Sequence, residues 1–353
     1  MANTKAADEP KKPVFELHTS RNFTSWLAEQ KTSLAFTTYQ AGKLFLIGLK
    51  PDGSLSVYER SFNRSMGLSV VENSLYLSSL YQLWRFENLL KPGELYQEHD
   101  RLYRPQINWL TGDLDVHDLG LTDQGDLVFV NTLFSCIARA SEKYSFEPVW
   151  TPPFISKLAA EDRCHLNGLA LRDGQARYVS IVSRSDVAGG WRDRRGSGGI
   201  VMDIESNDVL CEGLSMPHSP RWHDDKLWAL NSGAGEFGFI NMETGAFESV
   251  CFCPGYARGL GFIGHYALLG LSKPRNRSFT GLALDDALKQ KDADARCGIA
   301  VVDLNSGDLV HTLNIEGIVE EIYDVAALPG CVRPSLIGVM NDDIKRILSI
   351  PPV

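Results

Sequence analysis

An all-β fold, a β-propeller, follows from three features of this 353-residue chain. Short apolar runs alternate with turn residues, a module recurs about every 40 to 50 residues, and three histidines stand in register within consecutive modules. The runs include Leu127 to Val130, Tyr178 to Val182, Leu227 to Leu230 and Tyr266 to Leu269. They are rich in Tyr, Val, Phe and Trp and follow Gly, Asn or Asp, which is the composition of strands. A helix needs a longer run with a 3.6-residue stripe, and these runs carry none.

Each module opens on a strand ending in a small residue and a leucine, as in Met66-Gly67-Leu68, Leu119-Gly120-Leu121, Asn167-Gly168-Leu169 and Arg258-Gly259-Leu260. Weaker copies stand at Ser219-Pro220-Arg221 and Asp324-Val325-Ala326. Outer hairpins such as VDLNSGDLV and INMETGAFE supply the turns between later strands. The modules begin near residues 67, 120, 168, 220, 259 and 325. Such a period with four short strands per unit is the signature of propeller blades. The long last interval holds an insertion from Lys273 to Arg296, in which LALDDALKQKDA reads as a surface helix. Three strands in SLAFTTYQAGKLFLIGLKPDGSLSVYERSF make a seventh blade the expectation; six is the alternative, if they complete the C-terminal blade. Residues 1–20 read as a flexible N-terminal arm and residues 21–353 as one propeller domain.

A net charge of -9 argues against nucleic acid as a partner, and no apolar run is long enough to span a membrane. The N-terminus lacks the apolar core of a secretion signal. Seven cysteines without a paired C-x-x-C framework read as reduced, mostly buried thiols, so a cytoplasmic location is expected. The oligomeric state is left open by the sequence.

His117 in DVHDLGL, His165 in RCHLNGL and His218 in MPHSPRW each precede an entry strand. In a propeller those strands line the central channel, so the three imidazoles converge. Three neutral imidazoles with an open fourth position are a catalytic zinc set that also serves iron or copper. The expected cofactor is therefore a divalent metal, zinc first. His218 is offset by one residue from the other two, and a bulge at Pro217 to Pro220 would have to restore its direction. Asp115 or Asp118 is placed to orient His117, because a metal-bound histidine gives its second N–H to a carboxylate or carbonyl. Arg258 suits an anionic substrate group or a pairing with Asp324. Tyr323 and Asp324 are the acid–base candidates. Arg64 and Asn167 fall at entry positions, and Trp191 lies in the loop DVAGGWRDRRGSGG, whose arginines favour an anionic ligand. KPRNRSF, from Lys273, is a second basic loop. Each of these residues also has a structural reading, in inter-blade hydrogen bonds, turn caps or a solvated loop.

The segments TTYQAGKL, DVHDLGL, SFEPVWTPPFISKLAAEDRCHLNGLA, GGWRD, GLSMPHSPRW, LWALNSGAGE and GYARGLGF resemble an uncharacterised bacterial family, stand-alone or joined to tetratricopeptide repeats. That resemblance implies a propeller and no particular activity. A more distant likeness is to peptidyl-hydroxyglycine amidating lyase, a propeller enzyme with a three-histidine zinc assisted by Tyr and Arg. It implies analogous roles for His117, His165, His218, Arg258 and Tyr323, although this chain lacks that enzyme's paired cysteines. Carotenoid-cleaving propellers use four histidines on iron, and no fourth stands in register here.

The functional expectation is a metal-dependent lyase or hydrolase acting on a small anionic molecule. A protein-binding scaffold without catalysis and an iron-dependent oxygenase using the same histidines are the alternatives.

Overall fold

The computed structural model describes residues 15–274, 281–340 and 342–351. Its strands form six sheets, each with a four-stranded antiparallel core. The innermost strands, in ring order, are Val325–Pro329, Leu68–Val71, Val116–Leu121, Leu166–Arg172, Pro217–His223 and Tyr256–Ile263. Each packs against the next and the sixth returns to the first, so the ring closes as a β-propeller.

The ring has six blades, not seven. Val325–Pro329 pairs with Thr32–Thr38, Phe36 standing opposite Val325, so the three N-terminal strands take their innermost strand from the other end of the chain. Among the described residues the C-terminal segment has no further strands for a blade of its own. Pro334–Leu336 instead runs parallel to the outer strand Arg101–Leu110 of the second blade, and Ile347 follows the short helix Asp343–Arg346. Glu16–Thr19, within the stretch expected to be an arm, adds a fifth strand to the sixth blade. Residues 1–14 and most of the KPRNRSF loop lie outside the described residues.

Two helices matter to the packing. Phe23–Glu29 buries Phe23, Trp26 and Leu27. The inserted helix Ala283–Gln290 is less superficial than its sequence suggested: Leu284 and Leu288 are buried with Val182, Met216 and Tyr256, behind the fifth blade's entry. No helix among the described residues is long and apolar enough to cross a membrane. The seven cysteines form no disulfide.

Blade faces bury their alternate side chains against each other. Val128, Val130, Leu166, Leu169, Val179 and Ile181 fill the interface of the third and fourth blades. Burying each such side chain contributes roughly 1.5–3 kcal/mol. A repeated polar clamp joins the inner ends. The hydroxyl at the end of the second strand donates to the entry carbonyl of the next blade: Thr37 to Met66, Ser78 to Val116 at 3.0 Å, Thr132 to Leu166 at 2.7 Å, Ser232 to Ala257 at 2.6 Å and Ser272 to Ile322 at 3.0 Å. At the remaining interface the Asn167 amide donates to the Pro217 carbonyl at 2.7 Å. The crowding there explains one glycine: Gly259 has φ +73°, and a Cβ would fall 2.6 Å from the Asp324 Cα.

Candidate functional site

A polar cavity of about 280 Å³ lies among the entry segments, lined by Tyr39, Asp115, His117, Asp162, His165, Trp191, Arg192, Met216, His218, Arg258 and Tyr323. The three histidines, Arg258, Tyr323, Asp115 and Trp191 therefore face one cavity.

His117 and His218 are built alike. Each follows by two a residue with left-handed backbone, Asp115 (φ 53°) and Met216 (φ 47°). Each ring places Nδ1 2.8 Å from that residue's carbonyl oxygen. The clamp hydroxyls also reach these rings, Thr132 at 2.8 Å and Ser232 at 3.1 Å. Both hydroxyl protons are committed to carbonyls, so each Nδ1 carries the hydrogen and donates. The one-residue offset of His218 is absorbed by a register shift between His218 and Arg221. His165 is the member that differs: it has φ 51° itself, and its Nδ1 donates to the Asp162 carboxylate at 3.0 and 3.1 Å. All three rings thus leave Nε2 as the nitrogen without a hydrogen bond among the described residues, which is the tautomer metal-ligating histidines adopt.

Burial keeps two of the rings neutral. It pushes the His117 imidazole down to about 4 against the attraction of Asp115. Burial, reinforced by the Arg258 charge, holds His218 well below its usual value. Burial likewise holds the Tyr323 hydroxyl well above the usual phenol range, so it stays protonated at neutral pH. Burial opposes ionisation of Asp162, but His165 and the bonds from His165 and Trp191 outweigh it and lower its pKa.

The rings surround the cavity more widely than a bound ion requires. His117 and His165 meet edge to face at 4.9 Å between centroids, while His218 contacts Tyr256 at 5.5 Å. Ligand nitrogens around one tetrahedral zinc stand roughly 3.3–3.5 Å apart. The three histidines do not bring one nitrogen each within 4.8 Å of both others; among the described residues only the exposed Glu16, His18 and Glu316 meet that limit.

Several expected site residues stand elsewhere. Asp118 and Asp324 do not line the cavity and belong to a second polar layer along the same strands. Asp118 accepts from the backbone of Leu119 and Leu169 and from Arg221 at 2.7 Å. Asp324 accepts from the backbone of Leu68 and Val325, with Arg221 at 3.7 Å, so its carboxylate is engaged away from the cavity. Arg258 pairs with Glu321 at 3.7 Å rather than with Asp324. Arg64 binds Asp113 and stands 3.5 Å from Asp115, which it holds from outside the cavity. Asn167 is the inter-blade clamp described above.

The sequence reading missed Tyr39 and Met216, and took Arg192 only as one of the arginines of the DVAGGWRDRRGSGG loop. Asp162 precedes His165 by three residues much as Asp115 precedes His117 by two, and that spacing was the available signal. The indole of Trp191 stacks on His165 at 4.1 Å and donates to Asp162 at 2.7 Å.

Among solved structures, a nidogen/laminin complex matches with 10% identity and a TM-score of 0.51, covering 85% of this chain and 99% of that one. A virginiamycin B lyase from Staphylococcus aureus, in an inactive form with quinupristin, matches with 13% identity and a TM-score of 0.40 over 85% and 99%. TolB from Acinetobacter baumannii matches with 11% identity and a TM-score of 0.47 over 84% and 66%. Likeness at these identities concerns the fold alone. No curated protein matches the sequence. Residues 21–337 match the family described as Domain of unknown function (DUF4915), and the chain belongs to that family.

Proposed function

We propose that the axial cavity is the active site of a metal-dependent lyase or hydrolase acting on a small anionic molecule. The observation that carries this reading is the trio of imidazoles from adjacent blades, each fixed through Nδ1 and each leaving Nε2 without a bond among the described residues. His117, His165 and His218 would hold the metal. Their donor chemistry and tautomers fit it; their spacing does not, because the three do not all come within 4.8 Å of one another, so the reading requires at least one ring to move inward. A divalent cation in such a set polarises a substrate oxygen or activates water. The Asp162 carboxylate and the Trp191 ring hold His165 in orientation. Tyr323, as a phenol at neutral pH, is a donor toward a substrate oxygen, not a base.

The wide spacing favours one alternative, a cavity that binds a small polar ligand without metal. Metal analysis of protein purified without added metal separates the two. The proposal expects near-stoichiometric zinc that is lost in His165→Ala; iron in its place would indicate oxygenase chemistry. Metal content unchanged in the variant, or absent from both proteins, overturns the metal reading.

A further inference from the structure

The loop that carries Trp191 presents a cation that no carboxylate among the described residues pairs with directly, although the Asp162 carboxylate also lines the cavity. Arg258 is matched by Glu321, and Arg64 by Asp113 and Asp115. Arg192 also lines the cavity and is exposed, yet among the described residues it has no carboxylate within 4.0 Å. Its guanidinium lies 4.6 Å from the Trp191 ring centre, and one of its terminal nitrogens donates to the Gly189 carbonyl at 3.3 Å. The Trp191 ring in turn stacks on His165. Guanidinium, indole and imidazole therefore stand within two stacking layers of one another.

The loop under Arg192 is held before any ligand arrives. Arg163 bridges Glu161 at 2.8 Å and Asp186 at 2.5 Å, and the Gly189 N–H donates to the Glu161 carbonyl at 3.0 Å. A guanidinium held in this way loses little freedom on binding, and its planar fork matches an oxyanion.

We infer that Arg192 is the anion anchor of this cavity, taking a carboxylate or phosphate group at the rim so that the rest of a compact substrate points inward to the three histidines. This rests on the proposed catalytic reading for what happens at the inner end, but not for the binding itself. The substrate class is a small oxyanion whose reacting centre lies a few bonds from its charge.

The test titrates malonate, inorganic phosphate and the neutral malonamide into wild type, Arg192→Gln and Arg194→Gln by calorimetry, with metal content measured on the same preparations. Arg194 is exposed on the same loop and does not line the cavity. At least one anion should bind wild type in preference to malonamide, and Arg192→Gln should weaken it tenfold or more. Arg194→Gln should stay within about twofold, and ligand-free melting and metal content should be unchanged in Arg192→Gln. Undiminished binding by Arg192→Gln, an equal loss in Arg194→Gln, or no preference for either anion overturns the assignment. A metal-free wild type that still binds the anion through Arg192 sinks only the catalytic reading.

Discussion

Consecutive residues on or just before the inner strands enter two polar layers with opposite characters. His117 faces the cavity and Asp118 the layer beside it; Tyr323 and Asp324 divide in the same way, as alternation along an extended chain requires. In the Asp layer every charge is answered. Arg221 donates to Asp118, to Leu169 and to Leu260, and each carboxylate also takes two backbone N–H groups from its own and a neighbouring blade. In the histidine layer the Tyr323 hydroxyl is buried with no hydrogen-bond partner, and the Nε2 atoms take no bond among the described residues. A saturated network holds blades together. An unsaturated one, in a buried place where orphaned polar groups are costly, supports the proposed reading of the cavity as a binding site.

Breaking the saturated layer should give the largest effect. Arg221→Met leaves two carboxylates, each almost fully buried, without their cation. A loss of about 3–5 kcal/mol in denaturant unfolding is expected. A loss under about 1 kcal/mol would mean that this layer is not what joins the blades.

The two layers should also titrate in opposite directions in metal-free protein. His117 is depressed to about 4 by burial, so its contribution to stability is complete above pH 6.5 and is lost as pH falls toward 4. Asp324 is raised to about 7 by burial, partly offset by Arg221, so its contribution is complete below pH 3.8 and is lost as pH rises through 7. The shifts correspond to roughly 3 kcal/mol for His117 and roughly 4 kcal/mol for Asp324. Across pH 4 to 6.5, His117→Gln should lose stability relative to wild type as pH rises, whereas Asp324→Asn should gain it. Parallel curves for the two variants would erase the distinction.

The ring was legible in the sequence because blade entries repeat their glycine and leucine pattern, and the three histidines were legible because they repeat with it. The blade count was not, because a composite blade joins strands from both ends of the chain and no local pattern marks that pairing. His218 read as misaligned because a register shift is invisible in residue spacing. Asp118 and Asp324 read as site residues because their one-residue offset from His117 and Tyr323 says nothing about which layer they join. Arg192 and Asp162 could not be placed at the cavity from the sequence because both act from loops, whose course depends on contacts such as Arg163 with Asp186.

On the proposed reading the histidine layer holds its polar groups for a ligand and not for the fold. Tyr323→Phe gives the sharpest check, because it removes only a hydroxyl without a partner among the described residues and keeps the ring that packs on Arg258 and His117. Ligand-free unfolding of this variant should match wild type or exceed it by up to about 1 kcal/mol. A loss of about 1–2 kcal/mol would show that the hydroxyl serves the fold, and the contrast between the two layers would fail.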